Sequence, residues 1–384
     1  MKKQPTTIEI CGIGFPNKGA ELMLIAIKQY MQQHAIRWCM TPKNDYHYRA
    51  QYQLWQKSYI DRFGFNFAQP LAMLPWKFRR FFGLLNESQV DIVFDASGFA
   101  YGDQWGLKNT QRLAKNVEKW HKQGKKIVLF PQAFGPFELT GHGQLVKDIC
   151  SKVDLIFARD PDSYSYLINK TDKGNVFLSP DFTPLVTTEV YKTSLAYRDY
   201  VCVIPNNKML TKGDKTEQSH YLEFIVNQVD TALSITDKVV LLSHDGHRDS
   251  ALIESIQAKI SQPVQCLYIE SATELKSVIA SAKVVISSRF HGLVSALSNG
   301  IPIIATGWSH KYRHLLSDYN AQAQLYKSQD KDTAAEHLTK LLNDEQFYYD
   351  TAKVLSDKGQ DHKQKVEQMW AKIEDLIQLE DSTL

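Results

Sequence analysis

Cysteine is scarce in this sequence, and the little there is does not pair by spacing. Cys11, Cys39, Cys150, Cys202 and Cys266 are odd in number, far apart and free of any C-x-x-C unit. That excludes a disulfide-stapled scaffold and a zinc ribbon, and it fits reduced thiols. Long apolar runs are missing too. No stretch approaches the roughly 18 apolar residues of a spanning helix, and the opening MKKQPTTIEI has two lysines with no apolar segment behind them. The expectation is a cytoplasmic protein. A surplus of either charge is also absent. The 45 Lys and Arg stand against 42 Asp and Glu, a formal net charge of +3 with both signs interspersed, so nucleic acid is not an expected partner. No ligand spacing asks for a metal or an organic cofactor. "SHDGHRD", ending at Asp249, holds two histidines and two acids, but it matches neither a zincin helix nor a zinc ribbon and reads as a polar loop at a strand end.

What is present is regular. With 384 residues, 43% of them hydrophobic, the chain is long enough for two domains. Short β-branched runs alternate with amphipathic stretches, the pattern of βα units feeding a parallel sheet. One series runs from Thr7–Ile13 to Val176–Ser179, and a second runs from Tyr200–Ile204 to Pro302–Gly307. The periodicity predicts two Rossmann-like, doubly wound α/β domains, over residues 1–190 and 200–384, the second ending in helices. Residues 45–88 break the pattern as an insertion rich in aromatics and bases, including "LAMLPWKFRRFFGLL". Two readings stay open for it: a helical insertion packed on its domain, or a peripheral contact at the inner face of a membrane.

In open parallel sheets, ligands bind outside the carboxyl ends of the strands, beside helix N-termini. "KVVISS" is such a strand, and Arg289, Phe290 and His291 follow it before the helical "GLVSALSNG". Cations at a helix N-terminus point to an anion site, because that end of a helix already carries partial positive charge. The alternative is that Arg289 pairs with a nearby acid and His291 caps the helix. "IPIIATGWSHKY" delivers His310 and Lys311 to the neighbouring strand end. His244, after the strand "KVVLLS", faces the same edge. In the first domain "GIGFPNKGAEL" places Gly19 and Asn17 in a strand-to-helix loop, where glycine allows close approach of a ligand or simply a tight turn. Its glycine spacing is not that of a dinucleotide fingerprint. Gln132 and Arg159 follow further strands.

The stretch "ELKSVIASAKVVISSRFHGLVSALSNGIPIIATGWSHKY" resembles the C-terminal signature of the polysaccharide pyruvyl transferase family, with R-x-H-G after a strand and a lysine after the next. "GFPNKGAEL", "SGFAYGD", "PQAFGPF", "ARDPDSYSYL" and "SPDFTPL" follow the family's order. Two departures are Ala20, where many relatives carry an acid, and a reduced glycine cluster in "SGFAYG". The resemblance implies two Rossmann-like domains in a GT-B-like arrangement, with phosphoenolpyruvate as donor and no cofactor. The acceptor it implies is a sugar, a glycan or a lipid-linked glycan, pyruvylated as a cyclic ketal during exopolysaccharide or cell-envelope synthesis. It further implies that Arg289 and His291 are catalytic and that Arg289, Phe290, His291, Lys311, Arg159 and His244 hold the donor, with Asn17, Gly19, Glu21 and Gln132 on the acceptor side. For His291, a general-acid role and a binding role stay open. Two other functions share the fold prediction: a nucleotide-sugar-dependent glycosyltransferase and a non-catalytic glycan-binding protein.

Overall fold

In a computed structural model the protein is described over residues 5–15, 17–41, 46–58, 61–62, 65–66, 69–188, 199–212, 214–246 and 249–378. Residues 42–45, 59–60, 63–64 and 67–68 around and in the aromatic and basic segment, 189–198 before the second strand series, and 247–248 of "SHDGHRD" lie outside the described residues. The chain divides into two compact units, each discontinuous in sequence. The first comprises Met1–Phe15, Met23–Phe182 and Lys365–Leu384, and the second Pro16–Leu22 and Thr183–Gln364. A single cut between residues 190 and 200 therefore misses two crossings, one near each end of the chain.

The elements of the first unit begin with β1 (Thr6–Cys11), α1 (Lys18–Tyr30, whose first residues count with the second unit), β2 (Ile36–Met40) and α2 (Tyr46–Gln51). Then come β3 (Trp55–Lys57), β4 (Asp61–Arg62), β5 (Phe65–Asn66), α3 (Gln69–Ala72), α4 (Trp76–Phe81) and β6 (Leu84–Leu85). The unit closes with β7 (Ile92–Asp95), α5 (Leu107–Lys122), β8 (Lys126–Gln132), α6 (His142–Lys152), β9 (Leu155–Ala158), α7 (Pro161–Ile168) and β10 (Val176–Leu178). Eight of these strands form a parallel sheet in the order β10-β9-β8-β7-β1-β2-β3-β6. The pattern of α5 shows why it is a helix: Thr110, Leu113, Val117 and Trp120 recur at three and four residues and are its buried face. On the opposite face of the sheet, Phe130 packs edge-on to Trp370 with ring centroids 5.4 Å apart.

The second unit contains β11 (Val201–Ile204), α8 (Lys215–Leu233), β12 (Val239–Ser243), α9 (Ser250–Gln257), β13 (Gln265–Tyr268) and α10 (Ala272–Ala280). It continues with β14 (Val284–Ser287), α11 (Phe290–Leu297), β15 (Ile303–Ala305), α12 (His310–Asp318), α13 (Lys331–Asn343) and α14 (Glu345–Ile377, whose last turns count with the first unit). Its parallel sheet runs β13-β12-β11-β14-β15. Alternate residues of one strand serve both faces. Cys202 and Ile204 join the core under α10 and α11, while Val201 and Val203 join the core under α8 and α9. Strands buried on both sides read as the continuous apolar runs seen in the sequence. The helical tail is interrupted once, at Asp344 between α13 and α14.

The structure corrects the expected insertion. Residues 45–88 supply β3 and β6, which extend the main sheet, and Trp55 and Trp76 stack at 6.0 Å with the Arg37 guanidinium over both rings. Strands of three and two residues are too short to show a periodicity.

One charge pair is sealed inside the first unit. The Lys57 ammonium lies 2.7 Å from the Glu9 carboxylate, with the side chains 3% and 0% exposed. Burial favours the neutral amine, yet the negative charge of Glu9 prevails and keeps the Lys57 pKa above its ordinary value. Lys57→Met strands a buried carboxylate and is expected to cost about 3–5 kcal/mol. Glu9→Gln in the same chain should restore most of that loss. Denaturant unfolding of the two variants checks it, and a Lys57→Met protein as stable as wild type would contradict a sealed pair.

Candidate functional site

Both sheets reverse their strand order at one point, and each reversal has polar groups at its carboxyl edge. In the second unit the reversal lies between β11 and β14, the position where open sheets leave a crevice for ligands. The chain leaves β14 through Ser288, whose carbonyl accepts from Asn206 Nδ2 at 2.8 Å and from the Tyr312 hydroxyl at 2.9 Å. The Tyr221 hydroxyl meets the Ser288 side chain. The strand end is thus fixed from three sides before Arg289 begins.

Arg289 is buried and its charge is answered. Its Nη2 pairs with Asp249, its Nη1 lies 3.5 Å from Asp245, and its Nε donates to the Pro205 carbonyl at 3.3 Å. Of the alternatives open in the sequence, the acid-paired arginine is the one observed. Its partners come from "SHDGHRD", so that loop after β12 is a salt-bridge arm. Asp249 is fully buried and also accepts from the Asp245 backbone at 3.1 Å, which leaves it no freedom to cap α9. Among the described residues no group of three or more His, Cys, Asp or Glu side chains is placed to hold a metal ion.

His291 is the second residue of α11. It sits in the first turn of α11, and the N-cap position, Arg289, gives no side-chain hydrogen bond to the helix, whose first turn has no acid. The next helix repeats this. Ser309 is the N-cap of α12 and gives no capping bond, and again no acid occupies the first turn, which instead holds His310 and Lys311. By contrast, α7, α8 and α10 are capped by Asp160, Asp214 and Ser271, and each has an acid in its first turn. Helix N-termini ordinarily attract acids and repel cations. Two N-termini without a side-chain cap, at the ends of the paired strands β14 and β15, form an edge that carries basic residues and no acid in the first turn of either helix. The hydroxyls of Thr306 and Ser309, on the loop between β15 and α12, are buried without a hydrogen-bond partner. The Lys311 ammonium is steered by rings, lying 5.1 Å from the centroid of Phe290 and 5.4 Å from those of Trp308 and Tyr312.

The segment around Asn17 belongs to this edge, since it is part of the second unit. A side chain at Gly19 would put its Cβ 2.1 Å from His291 Nδ1, so glycine serves here for close approach to the histidine. The other two residues of this loop are spent on local structure. The Asn17 side chain caps α1 by accepting from the Gly19 amide at 3.0 Å, and Glu21 binds the Lys18 ammonium at 2.8 Å. Lys18, which also donates to the Glu270 carbonyl, is a cation the sequence reading passed over, although a lysine in the first turn of a helix breaks the same rule as His291. His244 lies buried nearby. Its burial, and then the positive charges of Arg289, His291 and Lys18, hold its pKa well below the usual 6.5.

Gln132 and Arg159 are in the first unit. Arg159 has Asp181 at 3.8 Å. Gln132 is fully buried, and neither atom of its amide has a hydrogen-bond partner. The reversal in this sheet falls between β1 and β7. A cavity of about 320 Å³ is found there, lined by Gly12, Thr41, Asp95, Ser97, Tyr101 and Asn116 and floored by the Glu9–Lys57 pair. Asp95 accepts from the Tyr101 hydroxyl at 2.8 Å and from the Ser97 amide at 3.0 Å. The volume is at the small end of the range for small-molecule sites.

The model of a family described as polysaccharide pyruvyl transferase matches residues 17–310. No curated protein sequence matches the chain. Among solved structures, a UDP-GlcNAc 2-epimerase from Neisseria meningitidis bound to UDP-GlcNAc is similar with a TM-score of 0.61 and 11% identity, covering 96% of this chain and 99% of its own. The Anabaena protein Alr3699/HepE in complex with UDP and glucose is similar with a TM-score of 0.56 and 12% identity, covering 99% and 100%. These likenesses show the fold, two Rossmann-like units of the GT-B class.

His244 generates a pH prediction. Its folded-state pKa lies below the free value of 6.5, so as the pH falls through 6.5 the unfolded chain takes up this proton and the folded chain does not. The buried neutral ring therefore lowers stability at acid pH, by up to about 1.4 kcal/mol per pH unit until the folded value is reached. Unfolding free energies measured from about pH 7.5 down to about pH 5, a window that brackets the free value, should fall less steeply for His244→Gln than for wild type. Equal slopes would mean that the ring titrates freely.

Proposed function

The chain belongs to the polysaccharide pyruvyl transferase family, and from that premise we propose that it moves the pyruvyl group of phosphoenolpyruvate onto two hydroxyls of one sugar residue. The product is a cyclic ketal, and phosphate is released. One observation carries the donor assignment: the two neighbouring helix N-termini of α11 and α12 lack a side-chain cap and carry Lys and His where α7, α8 and α10 carry acids. A small, multiply charged anion would supply negative charge there and accept from the helix amides. The buried hydroxyls of Thr306 and Ser309 offer it two further donors.

In this reading Asp249 keeps one end of the Arg289 guanidinium in place, and the long contact from Nη1 to Asp245 is the one a donor oxygen replaces. Lys311, held over the Phe290 ring, neutralises the carboxylate or phosphate. The chemistry needs a proton at C3 of the enol. As that proton arrives, a sugar hydroxyl oxygen bonds to C2 and releases its own proton to solvent. The second hydroxyl oxygen then displaces phosphate from C2, and its proton leaves with the phosphate or to solvent. His291 is assigned the C3 proton, since a placed imidazole can serve as a general acid. The acceptor sugar is assigned to the first unit, at the polar cavity beside β1 and β7. Gln132, with its unspent amide, is a further contact, whereas Asn17 and Glu21 act through the fold of their loop.

Phosphoenolpyruvate at 100 times its dissociation constant should stabilise the protein by about 2.7 kcal/mol, and a pyruvylated sugar should form. His291→Gln is expected to lower kcat by about 10²–10⁴-fold with little change in phosphoenolpyruvate affinity. A loss of affinity alone would make His291 a binding residue. Stabilisation by a UDP-sugar in place of phosphoenolpyruvate would instead establish a nucleotide-sugar transferase. For the acceptor side, Asn116→Leu, which puts an apolar group into the cavity, should raise the acceptor KM about tenfold and leave phosphoenolpyruvate binding unchanged. An unchanged acceptor KM would move the acceptor elsewhere.

A further inference from the structure

The segment from Leu71 to Phe82 is left with an outer face that its own unit does not use. Leu71, Met73, Leu74, Phe78, Phe81 and Phe82 are all exposed, Met73 and Phe81 by more than four fifths (82% and 83%). A soluble surface rarely gathers so many large apolar side chains in one run. The underside of the same segment is firmly built in. Trp76 stacks on Trp55, and Arg79 donates to the Leu74 carbonyl at 2.9 Å and to the Gln89 side chain at 2.7 Å. The phenylalanines therefore stand on an anchored support.

The charge within the segment is of one sign. No Asp or Glu occurs from Gln69 to Asn86, and Lys77 and Arg80 are exposed among the phenylalanines. With Trp76 and Arg79 turned inward at a three-residue spacing, the helical repeat sends Lys77, Phe78, Arg80 and Phe81 outward together. A water-facing helix would put polar groups there, and an interface with a second copy of this chain would set like charges against each other. Apolar rings ringed by bases match a layer that is oily within and negative at its surface. Among the described residues no helix is long and apolar enough to cross a membrane, so the contact is an interfacial one. We propose that the α3–α4 ridge docks this protein on an anionic lipid surface, with Phe78, Phe81 and Phe82 entering the headgroup boundary and Lys77 and Arg80 pairing with lipid phosphates.

The inference does not depend on which transfer reaction the protein performs. Full-length protein is mixed with vesicles of phosphatidylcholine alone and with vesicles in which part of it is replaced by phosphatidylglycerol, and the bound fraction is measured by co-sedimentation. Wild type should bind the phosphatidylglycerol vesicles, more weakly as salt is raised. The Phe78→Ser, Phe81→Ser, Phe82→Ser triple variant should bind at least about tenfold more weakly. Lys77→Gln with Arg80→Gln should erase the preference for phosphatidylglycerol. The replaced side chains are exposed, and an unchanged thermal midpoint verifies that each variant is folded. Absence of wild-type binding to either vesicle, or equal binding by wild type and the folded triple variant, overturns the proposal. So does a dimer in light scattering that the triple variant converts to monomer while vesicle binding is absent, because the face would then belong to a second copy.

Discussion

A buried arginine must have its charge answered, and Asp249 answers that of Arg289. The pair ties the end of β14 to the loop after β12, with the β11 strand end drawn in through the Pro205 carbonyl and through Asn206, which holds Ser288. Three strand ends become one rigid rim. A rim of this kind can hold two helix N-termini open, because the helices are positioned by the strands and cores beneath them. Removing Asp249 would leave a buried guanidinium whose one remaining carboxylate contact is the long one to Asp245, an arrangement that costs far more than a lost surface pair. The salt bridge is thus a support for the cations beside it.

How much of this was legible depends on whether a feature is local in sequence. The central strands of both sheets were readable because burial on two faces writes itself as an apolar run, as in Val239–Ser243 and Val284–Ser287. The edge strands β3 and β6 were not, since two or three residues carry no period. The junction of β14 with α11 announced itself through Arg289 and His291, two cations where acids belong. That Arg289 would be paired was open in the sequence. Its partner Asp249 lies 40 residues away, and only strand pairing brings it close. Asn17 and Glu21 looked like ligand contacts because loop polarity is ambiguous between binding and capping, and here capping and a short-range ion pair use them both.

The cavity of the first unit shows the same limit from the other side. Its lining comes from the ends of β1, β2 and β7 and from α5, elements spread over more than a hundred residues. Tyr101 and Asn116 have nothing to distinguish them as residue types. What marks the place is topology: the strand order turns around between β1 and β7, as it does between β11 and β14. The two units thus offer the same kind of crevice with different linings. One edge is basic at two helix N-termini, and the other mixes carboxylates, hydroxyls and an amide with Lys57 and Arg112. A charged donor and a neutral, hydroxyl-rich acceptor would divide between them on chemistry alone.

An electropositive edge of this sort has a cost. Lys18, Arg289 and His291 all act to keep His244 neutral, and neither α11 nor α12 is capped by the side chain of its N-cap residue. Folding tolerates this because α11 is almost wholly buried, from Phe290 to Leu297, and its packing outweighs an uncapped turn, whose loss is about 1 kcal/mol. In the proposed reading, an anion entering the edge would recover that loss for both helices at once and relieve the repulsion among the basic groups. Its binding free energy therefore includes stability that the unliganded fold had to forgo, which is how a small ligand with few atoms can be held firmly by a site made mostly of backbone and steered charge.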